Sequence, residues 1–207
     1  MTEKLSVNDL ACGRGGIRLV EGVSFDLSPG TTLFLRGPNG IGKTTLLRCL
    51  VGLQRPVQGT VSHGADHFAY GAHADAIKPT LSVDENLAFW AQVFGAGSID
   101  TAVECFDLGG LRDRLAGELS AGQRRRLGLA RLLLTGRPIW ALDEPTVALD
   151  AANVERFANA VRRHLVDGGM AIIATHIDMG LSGTTLDLGP YKAIAKPDTG
   201  SFDEAFL

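Results

Sequence analysis

The 207-residue sequence lacks several things that would decide its class at once. No run of 18 apolar residues occurs, so no stretch offers a single spanning helix. Met1 to Lys4 lead into alternating residues without the apolar core of a secretion signal. The chain is therefore expected on the cytoplasmic side. Basic excess is missing too: the net charge is −3 with 21% charged residues, which removes the usual footprint of a nucleic-acid binder. Cysteine is sparse, and Cys12, Cys49 and Cys105 are widely spaced with no C-x-x-C pair. That excludes a zinc ribbon, a thioredoxin-like pair and covalent haem attachment, and leaves reduced, structural thiols. Repeats, low-complexity tracts and an N-K-x-D guanine motif are likewise absent.

The residues present describe an α/β chain with one interruption. Leu5 to Leu10 and Val23 to Leu27 alternate as half-buried strands, with a turn at Gly13 to Gly16. Thr32 to Arg36 reads as a strand and Lys43 to Val51 as a helix closed by Gly52. Strands are expected near Thr60 and Val61 and over Asp66 to Tyr70. From Lys78 to Leu134 the apolar spacing turns helical, with segments through Val83 to Phe94, Ile99 to Phe106 and Ala121 to Leu134. The strand pattern resumes at Ile139 to Leu142, followed by a helix from Ala151 to Asp167 and a strand from Ala171 to Thr175. Residues 190–207 read as a short tail. At this length one domain is expected, with a core of 1–77 and 135–207 and a helical insertion over about 78–134. Strands alternating with helices predict a mostly parallel sheet whose active loops lie at the carboxyl ends of its strands.

The stretch Gly37-Pro38-Asn39-Gly40-Ile41-Gly42-Lys43-Thr44 is a G-x-x-x-x-G-K-[ST] phosphate loop between strand and helix, the context that gives the pattern meaning. Its glycines allow successive N–H groups to point at phosphate oxygens while the new helix presents its positive end. Gly37 through Thr45 are thus the candidate nucleotide-binding residues. Lys43 is placed to bridge the β- and γ-phosphates, and the Thr44 hydroxyl to hold Mg²⁺. A second constellation follows the buried strand at Leu142. Asp143 is placed to hold Mg²⁺ through its water shell, and Glu144 to polarise an attacking water.

Leu119-Ser120-Ala121-Gly122-Gln123 lies between these two motifs, with Ala148-Leu149-Asp150 and Thr175-His176 after them. In this order they resemble the ATP-binding cassette (ABC) ATPases over nearly the whole chain. Leu119 to Gln123 resembles the family's signature peptide, with Ala121 in place of a glycine. The resemblance implies a P-loop nucleotide-binding domain with an antiparallel β edge and an inserted α-helical subdomain. It also implies ATP as substrate, Mg²⁺ as metal, and Ser120, Ala121, Gly122, Gln123 and Asp150 as further nucleotide contacts. His176 would contact the γ-phosphate across a dimer. The signature of one copy would meet the nucleotide of another, so a second copy of the chain is the expected partner.

Departures from the family pattern carry expectations of their own. Where many cassettes stack an aromatic residue on adenine, this chain has Cys12, Gly13 and Arg14. Where a Gln usually opens the loop into the insertion, it has His73 or Ala74; a neutral His73 imidazole would reach the Mg²⁺ water shell in its place. The arginines Arg124 to Arg126 are read as a solvated helix face with a few acidic contacts. His63 and His67 are assigned no metal.

The stretch Gly71 to Trp90 and the run Leu119 to Leu127 are most similar to the ATP-binding subunits of cytochrome c maturation systems. That similarity implies a peripheral place on the cytoplasmic face of the bacterial inner membrane. It implies a polytopic membrane partner, CcmB, acting with CcmC and CcmD on the haem chaperone CcmE, and no nucleic acid. A soluble cassette working on DNA or ribosomes is disfavoured, since those usually carry two cassettes or a long coiled coil. A P-loop kinase or GTPase is disfavoured by the signature.

Overall fold

A computed structural model of the chain describes residues 3–194. Five strands form one all-parallel sheet in the order β5, β6, β7, β3, β8: β3 is Thr32–Arg36, β5 Phe68–Gly71, β6 Ile139–Asp143, β7 Met170–Ala174 and β8 Thr184–Asp187. Every residue of β6 and β7 is buried, as expected of central strands covered on both faces. The two faces separate by the period of two that strands impose. Leu33, Leu35, Ile139, Ala141 and Ile172 join one apolar cluster, while Phe34, Trp140, Leu142, Ala171 and Ile173 join the other.

The antiparallel strands make a sheet of their own. β1 (Leu5–Arg14) pairs with β2 (Ile17–Leu27) on one side and with β4 (Gln58–Val61) on the other. The first cluster is packed between this sheet, helix α1 (Lys43–Leu50) and the parallel sheet. The second lies on the opposite face, under α5 (Ala151–Val166) and the helices that run between β5 and β6: α2 (Val83–Phe94), α3 (Asp100–Cys105) and α4 (Ala121–Ala130).

Local chemistry sets the ends of these helices. Both α2 and α4 open on a capping box, Ser82 with Glu85 and Ser120 with Gln123, each serine accepting from the N–H three residues on. Gly95 closes α2 in a left-handed conformation.

Several expectations need correction. The strand expected from Asp66 begins at Phe68, because Ala65–His67 form a 3₁₀ turn. The helix expected to reach Leu134 stops at Ala130 and tightens into a 3₁₀ turn over Arg131–Leu134. β8 was not foreseen, its Thr-Thr-Leu-Asp sequence being short and mostly exposed. The start of the expected tail is built into the fold: Gly189–Tyr191 make a 3₁₀ turn, Lys192 bridges Val20 and the Ala193 N–H donates to the Leu19 carbonyl. Residues 195–207 lie outside the described part.

Candidate nucleotide site at the carboxyl ends of the parallel strands

Three strand ends converge. β3 runs out at Arg36 into the glycine loop, β6 at Asp143 and β7 at Ala174, and neighbouring register holds Asp143 opposite Ala174. The loop needs its glycines at defined points. Gly42 has φ 118°, and a Cβ there would press on Val20 Cγ1 at 3.1 Å. Gly40 has φ 80° with nothing within 4 Å of a Cβ, so conformation and not space selects glycine there. Helix α1 begins after Gly42 with no side-chain cap, which leaves its first N–H groups free for an anion. Pro38, Asn39, Gly40 and Thr44 are exposed on the loop, while Ile41 and Gly42 are buried beneath it and Thr45 is buried in the first turn of α1.

The reactive side chains close on one another. Lys43 is buried, and its Nζ donates to the carbonyls of Gly37 at 2.7 Å and Pro38 at 3.3 Å. The same nitrogen lies 3.3 Å from His176 Nε2, and that imidazole nitrogen is 3.6 Å from Glu144 Oε1. Thr44 Oγ1 donates to Asp143 Oδ2 at 2.7 Å. Glu144 adopts the left-handed conformation, φ 46°, and its N–H donates to the Ala174 carbonyl at 2.8 Å. A non-glycine residue there is uncommon and is held by its surroundings. The Arg36 guanidinium donates to the Thr175 carbonyl and ties β3 to the segment that carries His176.

These contacts join Lys43, Thr44, Asp143, Glu144 and His176, while the side chains of His73, Asp150 and the signature residues have other neighbours. His73 is exposed and lines a cavity of about 200 Å³ with Ala121, Arg124 and Val147. Its imidazole is not part of the Thr44 and Asp143 pair. Asp150 caps α5, its Oδ1 accepting from the Asn153 N–H and Nδ2. Ser120 caps α4, and Ala121 is exposed beside it. Gly122 packs so close to the next loop that a Cβ would stand 2.9 Å from the Ala148 carbonyl. Gln123 turns its side chain back onto the Ser120 N–H at 2.9 Å. Cys12 and Gly13 sit in β1, where the Gly13 carbonyl accepts from Gln54 Nε2. Cys12 is buried beside Cys49, and that neighbour together with burial pushes its thiol far above the ordinary range.

Sequence reasoning missed two residues here. Tyr70, on β5 in register with Ala141, has its phenol pushed up to about 12, by burial first and by the Asp143 carboxylate second. It stands near enough to Asp143 to feel that carboxylate's charge. Arg125 is the other, and the reading of Arg124 to Arg126 as a solvated face is wrong for it: its side chain is 6% exposed. Arg126 is also mostly covered, donating to the Phe106 and Asp107 carbonyls. An arginine run looks the same in sequence whether its guanidiniums meet water or carbonyls.

A model of the ABC transporter family matches residues 20–147, from β2 through the acidic strand end. The chain belongs to the ABC transporter family. Among its ABC relatives, a protein from Ruegeria pomeroyi called cytochrome c biogenesis ATP-binding export protein CcmA is 62% identical over 193 residues, 93% of this chain and 95% of that protein. The protein of the same name from Roseobacter denitrificans is 59% identical across 98% of this chain and 99% of its own length. Among solved structures, an ABC transporter ATP-binding protein from Pyrococcus furiosus superposes with a TM-score of 0.82 at 27% identity, covering 92% of this chain and all of that one. The ABC fold read from the motifs is thus the fold observed, with the antiparallel strands as a separate sheet. Among the described residues no helix is long and apolar enough to cross a membrane.

Proposed function

We propose that the chain is the ATP-hydrolysing, energy-coupling subunit of a membrane ABC complex that serves c-type cytochrome biogenesis. The observation that carries this is the meeting of Lys43, Glu144 and His176 around one point beside the Thr44 and Asp143 pair, in a chain similar over nearly its full length to cytochrome c biogenesis ATP-binding export proteins. Lys43 would exchange the loop carbonyls it now holds for β- and γ-phosphate oxygens. The free N–H groups of the loop and α1 would take the remaining phosphate charge. Glu144 would accept a proton from the attacking water, while His176, within reach of both Lys43 and Glu144, would steady the γ-phosphate as charge moves onto the leaving oxygen.

A hydroxyl and a buried carboxylate 2.7 Å apart are the hard oxygen pair that Mg²⁺ selects. Thr44 and Asp143 would hold the ion, which would supply positive charge to offset that of the phosphates. The exposed start of the signature helix, Ser120 and Ala121, would face the nucleotide of a second copy. The membrane partner is CcmB, with CcmC, CcmD and the haem chaperone CcmE as the rest of the machinery, and the subunit would lie peripherally on the cytoplasmic face of the inner membrane. The relatives' shared name and the absence of a spanning helix among the described residues support that placement.

Cells whose only copy carries Lys43→Ala or Glu144→Gln test the reading. They are expected to lose mature c-type cytochromes, to accumulate haem still attached to its periplasmic chaperone, and to keep b-type cytochromes. Normal c-type cytochromes in both strains, with the proteins at wild-type levels, would overturn the assignment to this pathway.

A further inference from the structure

Arg125 sits in the middle of α4, and its guanidinium is spent almost entirely on other segments. Nε donates to the Pro145 carbonyl at 2.9 Å and one terminal nitrogen to the Glu144 carbonyl at 2.9 Å. The other terminal nitrogen donates to the Ala72 carbonyl at 2.9 Å and to Asp75 Oδ1 at 2.7 Å, with the His73 carbonyl at 3.4 Å. One planar group thus joins three pieces of chain: the signature helix, the turn that carries Glu144, and the loop leading from β5 into the helical insertion. A guanidinium presents fixed donors in a fork, and a lysine ammonium of similar length cannot serve all three at once.

The Glu144 end of this contact matters for chemistry. Its backbone is left-handed and is held at the N–H, donated to the Ala174 carbonyl, and at its own carbonyl, which accepts from the Arg125 guanidinium at 2.9 Å and, at the longer distance of 3.3 Å, from the Val147 N–H. Removing the guanidinium leaves that carbonyl only the longer bond from Val147 and loosens a strained peptide, which would let the carboxylate drift from the water it must polarise. We infer that Arg125 is a positioning residue for hydrolysis: it fixes the backbone that aims Glu144 and makes that aim depend on where α4 and the loop at Ala72 to Asp75 lie. The inference rests on the reading of Glu144 as the water-polarising base. A purely structural guanidinium, serving only to satisfy buried carbonyls, would instead lower stability without touching the chemical step.

The test uses the purified full chain and reads phosphate release at saturating Mg-ATP, affinity for a fluorescent ATP analogue, and melting temperature for Arg125→Lys, Glu144→Gln and the double variant. Arg125→Lys is expected to bind nucleotide as tightly as wild type and to release phosphate more slowly, on the order of 10-fold or more. The double variant is expected to be no slower than Glu144→Gln alone, because both changes act through one carboxylate. Should Arg125→Lys fail to fold, Arg125→Gln, which removes the buried charge and keeps a donor, is read by the same criteria. Wild-type release from a folded Arg125 variant, or losses that multiply in the double variant, would overturn the inference. Wild-type release from Glu144→Gln would instead overturn the reading of Glu144 itself, and that single variant reports it separately.

Discussion

At the scale of single residues, His176 stands between the two charges that matter, 3.3 Å from Lys43 Nζ and 3.6 Å from Glu144 Oε1. Its side chain is 54% exposed, so a role in the core is excluded and packing does not depend on it. His176→Ala is therefore expected to leave the melting temperature and the affinity for ATP unchanged while lowering turnover by about 100-fold, the scale seen when one preorganised transition-state contact is removed. A fall in melting temperature with unchanged specific activity would contradict that. Lys43 shows why the residue scale is the most legible one in this chain: a phosphate loop is a local pattern, and its chemistry is fixed within eight consecutive residues. Arg125 shows the opposite. Its partners lie 19 to 53 positions away along the chain, and nothing within its own helix distinguishes it from Arg124.

Elements were legible where their period was regular and capped, as in β3 and α2, and illegible where burial overrode pattern. β8 is held by pairing with β3 over Leu33 to Arg36, a relation between distant segments that the short, largely polar sequence Thr184–Asp187 does not announce. Helix α5 illustrates a tie of the same kind. In its last turn His164 directs Nε2 to the Pro138 and Met170 carbonyls, 3.1 and 3.2 Å away, and its ring stacks on Trp140 with centroids 4.1 Å apart. Burial pushes the imidazole below its ordinary value of 6.5, outweighing the two carbonyl contacts that favour the proton. The folded state therefore binds fewer protons than the unfolded chain once the pH falls below 6.5, and stability drops with acidification until the folded-state value is reached. The melting temperature is expected to fall as the pH is lowered through 6.5 and below, and His164→Gln to flatten that slope. An identical slope in the variant would show that other groups carry the acid sensitivity.

For the whole molecule, the candidate residues fall into two separate groups. The phosphate loop, Asp143, Glu144 and His176 lie together at the carboxyl ends of the strands, whereas Ser120 and Ala121 open a separate helix and make no contact with Lys43 among the described residues. Two copies would bring each signature helix to the other's nucleotide, and closure around ATP would move the insertions together, with any membrane helices docked on them. Arg125 would be the internal link in that motion, since α4, the Glu144 turn and the loop at Ala72 to Asp75 share its guanidinium. The measurement that bears most directly on this account is phosphate release from Mg-ATP by the purified chain, followed across dilution for wild type and Glu144→Gln, with molecular mass recorded in the same solutions. The account predicts wild-type release per chain that rises with protein concentration. For Glu144→Gln it predicts release slower by about 100-fold or more and, with ATP bound, a mass doubled from 21.9 kDa. Release that is independent of concentration and survives Glu144→Gln would contradict it.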